Sequence, residues 1–331
     1  MTRILVTGGA GYVGSVSAES LLAAGHRVVV LDDLTTGHRA AVPAGATLQT
    51  GTYGDTGTLA ALLRSERIDA ILHCAARSLV GESIRDPARY FRENVAGGIA
   101  LLDAARAAGV NRFVFSSTAA VYGTPETTPI PEDAPLRPIN PYGESKRSFE
   151  AALDWYGRAY GLRSVSLRYF NVAGASATLG EDHDPETHLI PNILRAALGQ
   201  AELTVFGDDY PTPDGTCIRD YIHVEDLADA HRLAIDATAP EDRRTNEPLI
   251  CNLGSGGGFS IRQVIAAATA AVGREIPFSV GERRVGDPPV LVAQSTRAAE
   301  VLGWHAARPT LDEMVGSAWA WRQAHPDGYP D

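Results

Sequence analysis

Thirteen residues near the start, RILVTGGAGYVGS (3–15), restrict what this chain can fold into more than any other stretch. Arg3 to Thr7 reads as a short buried strand. Glycines at 8, 11 and 14 turn it into a helix reaching Ala24, and RVVVLDD (27–33) reads as a second strand ending in two aspartates. Glycine is needed where backbone must approach a pyrophosphate closely, and the first helical turn offers that pyrophosphate free N–H groups. A glycine-rich run alone is a weak signal. Here it follows a strand, opens a helix and is trailed by Asp32 eighteen residues past Gly14, close to the spacing at which a carboxylate meets a ribose. Gly8, Gly11, Tyr12, Val13 and Gly14 form the candidate pyrophosphate cradle, with Asp32 and Asp33 at the adenosine ribose. A carboxylate there repels a 2′-phosphate by roughly 4 kcal/mol at ~4 Å and an effective dielectric of ~20, so the expected cofactor is NAD rather than NADP.

The alternation continues. IDAILHCAA (68–76) and RFVFSS (112–117) are strand-like, with helical patterns at 87–93 and 97–108 between them. The fold class is α/β, a doubly wound parallel sheet of Rossmann type, whose ligands gather at the carboxyl ends of the strands. From about residue 171 the alternation loosens into short strands and long loops such as DDYPTPDGTC. Helices are expected over 188–199, 224–237, 260–272, 295–302 and 310–324, the last opened by a capping box in TLDE (310–313). Strands near 165–170 and 249–253 return to the main sheet. Residues 1–170, with returning segments near 224–255, are read as the dinucleotide domain, and 171–331 mainly as a smaller, interleaved substrate-binding lobe.

Composition excludes several functions. The formal net charge of −11 argues against a nucleic-acid or anionic-membrane partner. Three scattered cysteines without CxxC spacing point to reduced thiols rather than a disulfide framework or zinc site. His73 and His223 have no metal-ligand spacing to other His or acidic residues, and no metal is expected. No secretory leader and no apolar run approaching a membrane span is evident, so a soluble, cytoplasmic protein is expected.

Of 29 basic residues only one, Lys146, is lysine. It sits in PYGESK (141–146), four residues after Tyr142 and shortly after SSTAAVYG (116–123) at a strand's carboxyl end. On a helix, i and i+4 share a face. A free tyrosine titrates near ~10, too high for a base at neutral pH. An ammonium one turn away and a positive nicotinamide would together lower it. Lysine is a compact point charge whose stem also reaches a ribose hydroxyl, which a forked, planar guanidinium does not reproduce. Tyr142 as base, Lys146 as its cation and Thr118 as a strand-end hydroxyl are the candidate catalytic residues.

These stretches (TGGAGYVG, a strand-end Ser/Thr and YGESK) resemble the extended short-chain dehydrogenase/reductase family. A closer similarity, to the UDP-glucose (UDP-galactose) 4-epimerases of that family, runs over nearly the whole chain. It is carried by LVGES, FSSTAAVYG, NPYGESK, LRYFNVAGA, DYPTPDGTCIRDYIHVEDLADA, NLGSG and HPDGYPD. The resemblance implies that tightly bound NAD oxidises C4 of a UDP-hexose while Tyr142 removes the hydroxyl proton and Thr118 hydrogen-bonds that hydroxyl. The 4-keto sugar then turns over and is reduced on its other face. It further implies Asn171, Arg219 and Arg284 at the diphosphate and Asp287 near the ribose. His188 and Leu189 would lie near the uracil, with Phe206 packed against it. Tyr169 and Phe170 would sit near the nicotinamide and sugar, and Asn94 near the NAD ribose-phosphate. A homodimer formed through helices near 97–108 and 147–159 is implied as well.

Some positions depart from the family pattern. Gly51-Thr52 stands where Gly-Asp usually reaches the adenine, so adenine readout passes to backbone groups around Tyr53. Arg77-Ser78 replaces a common lysine, and Thr118 a common serine. Three rivals remain open. A 4,6-dehydratase would want Asp-Glu where Ala119-Ala120 stand; a non-catalytic NAD-binding regulator would not need Tyr142, Lys146 and Thr118 together. The third is a 4-epimerase of UDP-N-acetylhexosamines or UDP-uronic acids. The register from GDPPVLVA places Leu291 beside the hexose, at the family position where tyrosine restricts and cysteine or serine admits an N-acetyl group.

Overall fold

Seven strands run parallel in one sheet: β1 (Arg3–Thr7), β2 (Arg27–Asp32), β3 (Thr47–Thr50), β4 (Ala70–His73), β5 (Arg112–Thr118), β6 (Arg163–Tyr169) and β7 (Leu249–Leu253). Their order is β7-β6-β5-β4-β1-β2-β3. This computed structural model describes residues 1–242, 247–284 and 287–330; Gly286 of GDPPVLVA and Asp331 of HPDGYPD lie outside them. The winding reverses between β1 and β4, which opens a crevice beyond their carboxyl ends, at Thr7 and His73.

The period of two along β1 sorts its side chains onto two cores. Ile4 and Val6 pack with Val30, Leu72 and Leu227 on the face covered by α1 (Tyr12–Ala23) and α6 (Val224–Ala237). Leu5 joins Ile71, Phe113 and Phe149 on the other face, under α2 (Thr56–Ser65), α3 (Gly97–Ala108) and α4 (Pro141–Tyr160). Both faces of the sheet are therefore covered, which is why its strands read as near-continuous apolar runs. β3 is the exception: TLQT at the edge carries one leucine, too little apolar signal to announce a strand.

The rest of the chain builds a smaller lobe. α5 (Leu189–Ala197), α7 (Ile261–Val272) and α8 (Leu311–Ala324) enclose a third core with Ile193, Val264 and Met314 at its centre. The capping box read at Thr310–Glu313 is present. Short strands 171–173 and 221–223 pair with one another, and 218–219 lies between 259–260 and 290–291.

One element differs from its sequence reading. The helical pattern at 87–93 is an α-turn, Pro87–Tyr90, followed by a π-helical stretch, Phe91–Ala96, that runs into α3. A π-turn widens the helix by one residue and recurs at functional sites. Here it carries Glu93 and Asn94.

Candidate active site

Each glycine of the first turn has a separate cause. Gly8 has φ +70°, a left-handed conformation that costs a side chain strain. A Cβ on Gly14 would lie 2.1 Å from the Gly8 carbonyl, so only hydrogen fits between helix and turn. Gly11 is different: its Cβ would meet nothing closer than 3.5 Å. Packing within the chain does not demand glycine there, and no side chain caps the helix that Gly11 opens. Open space in front of uncapped helical N–H groups fits a pyrophosphate. Asp32 is clamped beside it, accepting from the N–H of Ala10 at 3.0 Å and of Leu34 at 2.9 Å. Burial pushes its carboxyl up, against those two bonds. Asp33, Thr52, Tyr53, Arg77 and Glu93 line an adjoining cleft of about 490 Å³. Tyr53 donates its hydroxyl to the Glu93 carbonyl at 3.1 Å.

Deeper in the crevice, α4 begins at Pro141 with Asn140 as its N-cap, its side chain accepting from Gly143 N–H at 2.8 Å. That start sets Tyr142 and Lys146 one turn apart, facing the end of β5. The Lys146 ammonium is buried, 4% exposed, and donates to the Ser116 carbonyl at 2.9 Å. It also lies 4.7 Å from the Phe115 ring centre and 6.0 Å from that of Tyr142. Burial pushes it down to about 8, against Cys74 and Glu150, which favour the charge. Burial raises the Tyr142 phenol above its ordinary value and outweighs the neighbouring Thr118 hydroxyl, which lowers it. The expectation that Lys146 lowers the phenol is not met by the chain alone: the ammonium points at a carbonyl and the phenol is desolvated. Tyr90 meets the Tyr142 ring edge-on at 6.5 Å and donates to Glu82 at 2.9 Å.

Asn94 is 4% exposed, and its amide holds other parts of the site together. It accepts from Arg77 N–H at 2.8 Å and donates to the Arg77 carbonyl and to Ser145 Oγ, both at 3.0 Å. Tyr169 ends β6 with its ring edge-on to His231 at 6.5 Å.

The remaining candidates gather in the smaller lobe. Arg219 pairs with Asp287, and the Arg284 guanidinium lies 4.3 Å from the centre of the Phe206 ring, which is 40% exposed. Phe206 is thus an open aromatic face rather than core. Asn171 donates from its side chain to the Asp220 carbonyl at 2.9 Å. Leu291 is in register with Arg219 and, like Phe170, packs on the Ala119–Tyr122 cluster that follows Thr118. A run of contacts therefore joins the catalytic candidates to Arg219 and Asp287. Leu189 opens α5 against the third core. His188 Nδ1 lies 2.9 Å from carboxylate oxygens of both Glu181 and Glu186.

Several contributors were not read from the sequence. Glu150 takes two bonds from Arg168, at 3.0 and 2.6 Å, and one from Ser117 at 2.5 Å. It lies four residues past Lys146 on the same stripe of α4, a signal that was available. Glu181 and Glu186 carry no such mark, since nothing local in the loop shows which way their side chains face.

Three core histidines make the fold acid-sensitive. His73 lies 2.7 Å from Thr7 Oγ1, His231 lies between Ser17 and Ser116, and His223 contacts Ser317. Burial depresses His73 and His231 to about 3 and His223 to about 4. Unfolded histidine takes its proton near ~6.5, so below that pH the unfolded chain binds protons that the folded chain refuses. Their contribution is present above ~6.5 and falls as pH drops toward 3–4. The thermal midpoint is expected to be lower at about pH 5 than at about pH 6.5; equal midpoints would contradict this reading.

The chain is similar throughout to proteins of one kind. A family model described as "NAD dependent epimerase/dehydratase family" matches residues 4–254. The UDP-glucose 4-epimerase of Streptomyces lividans is 52% identical, over 99% of this chain and 98% of its own length. The UDP-glucose 4-epimerase structure from Brucella ovis in complex with NAD superimposes with a TM-score of 0.93 at 45% identity, covering 97% of this chain and 98% of that one. The Bifidobacterium longum enzyme in complex with NAD+ and UDP gives 0.92 at 36% identity, covering 99% and 100%. With its glycine-rich turn, Tyr142–Lys146 pair and seven-stranded sheet, this chain belongs to the NAD-dependent epimerase/dehydratase family.

Proposed function

We propose that the protein is a UDP-glucose 4-epimerase, interconverting UDP-galactose and UDP-glucose through a 4-keto intermediate with tightly held NAD. The observation that carries this is the placing of Thr118, Tyr142 and Lys146 together at the carboxyl end of β5, in contact sequence with a lobe that presents Arg219, Arg284 and an open Phe206 ring. The B. ovis structure is a complex with NAD and the B. longum structure a complex with NAD+ and UDP, which supports both ligands here.

Gly11, Tyr12, Val13 and Asp32 would hold the dinucleotide, and the cleft at Asp33, Thr52 and Tyr53 its adenosine end. When bound, NAD+ would supply a hydride acceptor (for one proton and two electrons) facing C4 of the hexose, able to give the hydride back to the opposite face. Tyr142 receives the 4-hydroxyl proton and gives it back, so its desolvated phenol is a proton carrier that needs a positive neighbour to ionise. Lys146 is that neighbour and a donor to ribose; Thr118 orients the hydroxyl. Arg219 and Arg284 meet the diphosphate, where a forked guanidinium matches phosphate oxygens. Asn94 serves by positioning Arg77 and Ser145. Residues 1–170 with β7 and α6 make the NAD-binding domain, and 171–331 mainly the UDP-sugar lobe. Ile99 on α3 and Trp155 and Tyr160 on α4 are exposed apolar groups that suit a homodimer through these two helices; a single-chain mass by light scattering would reject it. Among the described residues no helix is long and apolar enough to cross a membrane, and a cytoplasmic enzyme is our reading.

The test is incubation of the purified protein with UDP-galactose and no added cofactor, with chromatographic resolution of the products. Appearance of UDP-glucose, at an equilibrium reached from either side, is the expected result. No conversion even after adding NAD+ would remove this reading and send the assay to UDP-GlcNAc and UDP-glucuronate. Sugar size is set at Leu291, half-buried against the Ala119–Tyr122 cluster. Leu291→Tyr is expected to abolish any turnover of UDP-GlcNAc and spare that of UDP-galactose; equal loss of both would put another residue at that position.

A further inference from the structure

We propose that Glu181, His183, Glu186 and His188 form a binding site for one divalent transition-metal ion, best matched by zinc, which staples the loop before α5. The four residues each offer one ligand atom, and all four atoms lie within 4.8 Å of one another. They are the group among the described residues with this property.

The geometry suits a small tetrahedral ion. Zinc arms of about 2.0–2.2 Å to nitrogen and oxygen set neighbouring donors roughly 3.3–3.5 Å apart. The separations here bracket that value: His188 Nδ1 is 2.9 Å from an oxygen of Glu181 and 2.9 Å from one of Glu186. His183 Nδ1 is 3.2 Å from Glu181 Oε1 and 3.8 Å from Glu186 Oε2. Two imidazoles and two carboxylates favour zinc and its neighbours over calcium or magnesium, which take oxygen shells.

A second observation is independent of the spacing. The Glu186 side chain is 2% exposed, yet its buried Oε2 has no hydrogen-bond partner, and neither has the buried Nδ1 of His183. These two atoms face each other across 3.8 Å, too far for a hydrogen bond. Unpartnered buried acceptors are rare because desolvation is costly. A cation between them would satisfy both.

Within the loop Glu186 Oε1 accepts from the His188 N–H at 2.7 Å, while the surroundings grip it at other atoms. Asp182 faces away, accepting from Tyr329 N–H at 2.9 Å and lying 3.9 Å from Arg322. On the inner side Tyr12 of the glycine-rich turn meets the His183 ring edge-on at 6.4 Å and donates its hydroxyl to the Gly174 carbonyl at 2.6 Å. The four ligands all come from residues 181–188, so the ion would tie this loop to itself just before α5, with Tyr12 of the glycine-rich turn packed against its His183 ligand.

The experiment uses the untagged, full-length chain with its cofactor. Elemental analysis after dialysis against zinc is expected to find about one zinc per chain. Glu186→Gln and His183→Ala should each lose most of that zinc while retaining bound NAD, the sign that the fold is intact. No zinc above background in the native chain, or an unchanged content in both variants, would overturn the proposal. Should the variants lose NAD as well, zinc X-ray absorption on the native chain decides. Two imidazole nitrogens and carboxylate oxygens around the ion support the site, and any other ligand set overturns it.

Discussion

Lys146→Arg is expected to keep the fold and the bound NAD but to lose about 10²-fold or more in turnover of UDP-galactose, the scale of a lost contribution to proton transfer. The ammonium occupies a closed pocket between the Ser116 carbonyl at 2.9 Å and the Phe115 ring at 4.7 Å. A guanidinium is broader, needs partners for five N–H groups in a fixed plane, and finds one carbonyl there. It must withdraw or displace Phe115, and either movement takes the charge away from Tyr142. The phenol then stands in a site whose burial already raises it, with no cation to favour its ionised form. The discriminating measurement is the pH profile of turnover beside the NAD absorbance of the purified variant. Near-normal turnover with arginine would show that any positive charge suffices. Loss of NAD together with activity would instead assign Lys146 to cofactor retention.

Glu150→Gln is expected to destabilise the protein by about 3–5 kcal/mol, the range for breaking one side of a buried ion pair. Arg168 is 1% exposed and its guanidinium makes four hydrogen bonds. It bonds both oxygens of Glu150, the Tyr122 hydroxyl at 2.9 Å and the Glu132 carbonyl at 3.1 Å. Glutamine keeps the shape but leaves a buried positive charge without its counter-charge and turns one acceptor into a donor. The same change removes the carboxylate that favours the charged form of Lys146, so turnover near neutral pH should fall as well. Chemical denaturation measures the first effect and the pH–rate profile the second. A loss under about 1 kcal/mol would mean that water or a shifted side chain neutralises Arg168 in the folded state.

These two predictions rest on different kinds of information. Tyr142 and Lys146 were legible because their relation is local: a four-residue spacing on one helix sets their facing before any other part of the chain is considered. The glycine-rich turn was legible for a similar reason, since Gly8 and Gly14 answer backbone sterics within one strand–helix turn. The sheet followed from apolar runs, because covering both faces leaves no polar alternation to obscure them. The helical pattern at 87–93 does not show where the α-turn gives way to a π-turn, because the two differ by a single residue of register, which apolar periodicity over so short a window does not resolve.

By itself, then, the sequence determined the dinucleotide turn, the parallel sheet and the candidate trio of Tyr142, Lys146 and Thr118. Only the tertiary structure decided that Glu150 lies against Arg168 across 18 residues and that Tyr122 donates to Asn252 across 130. It also decided that Arg219 meets Asp287, that Phe206 is an open face under Arg284, and that Glu181, His183, Glu186 and His188 converge. The physical reason is range. Turn chemistry and helical spacing act over a few residues and leave a mark in the chain, whereas a buried ion pair or a cluster of ligand atoms exists only once packing brings its members together and removes the water between them.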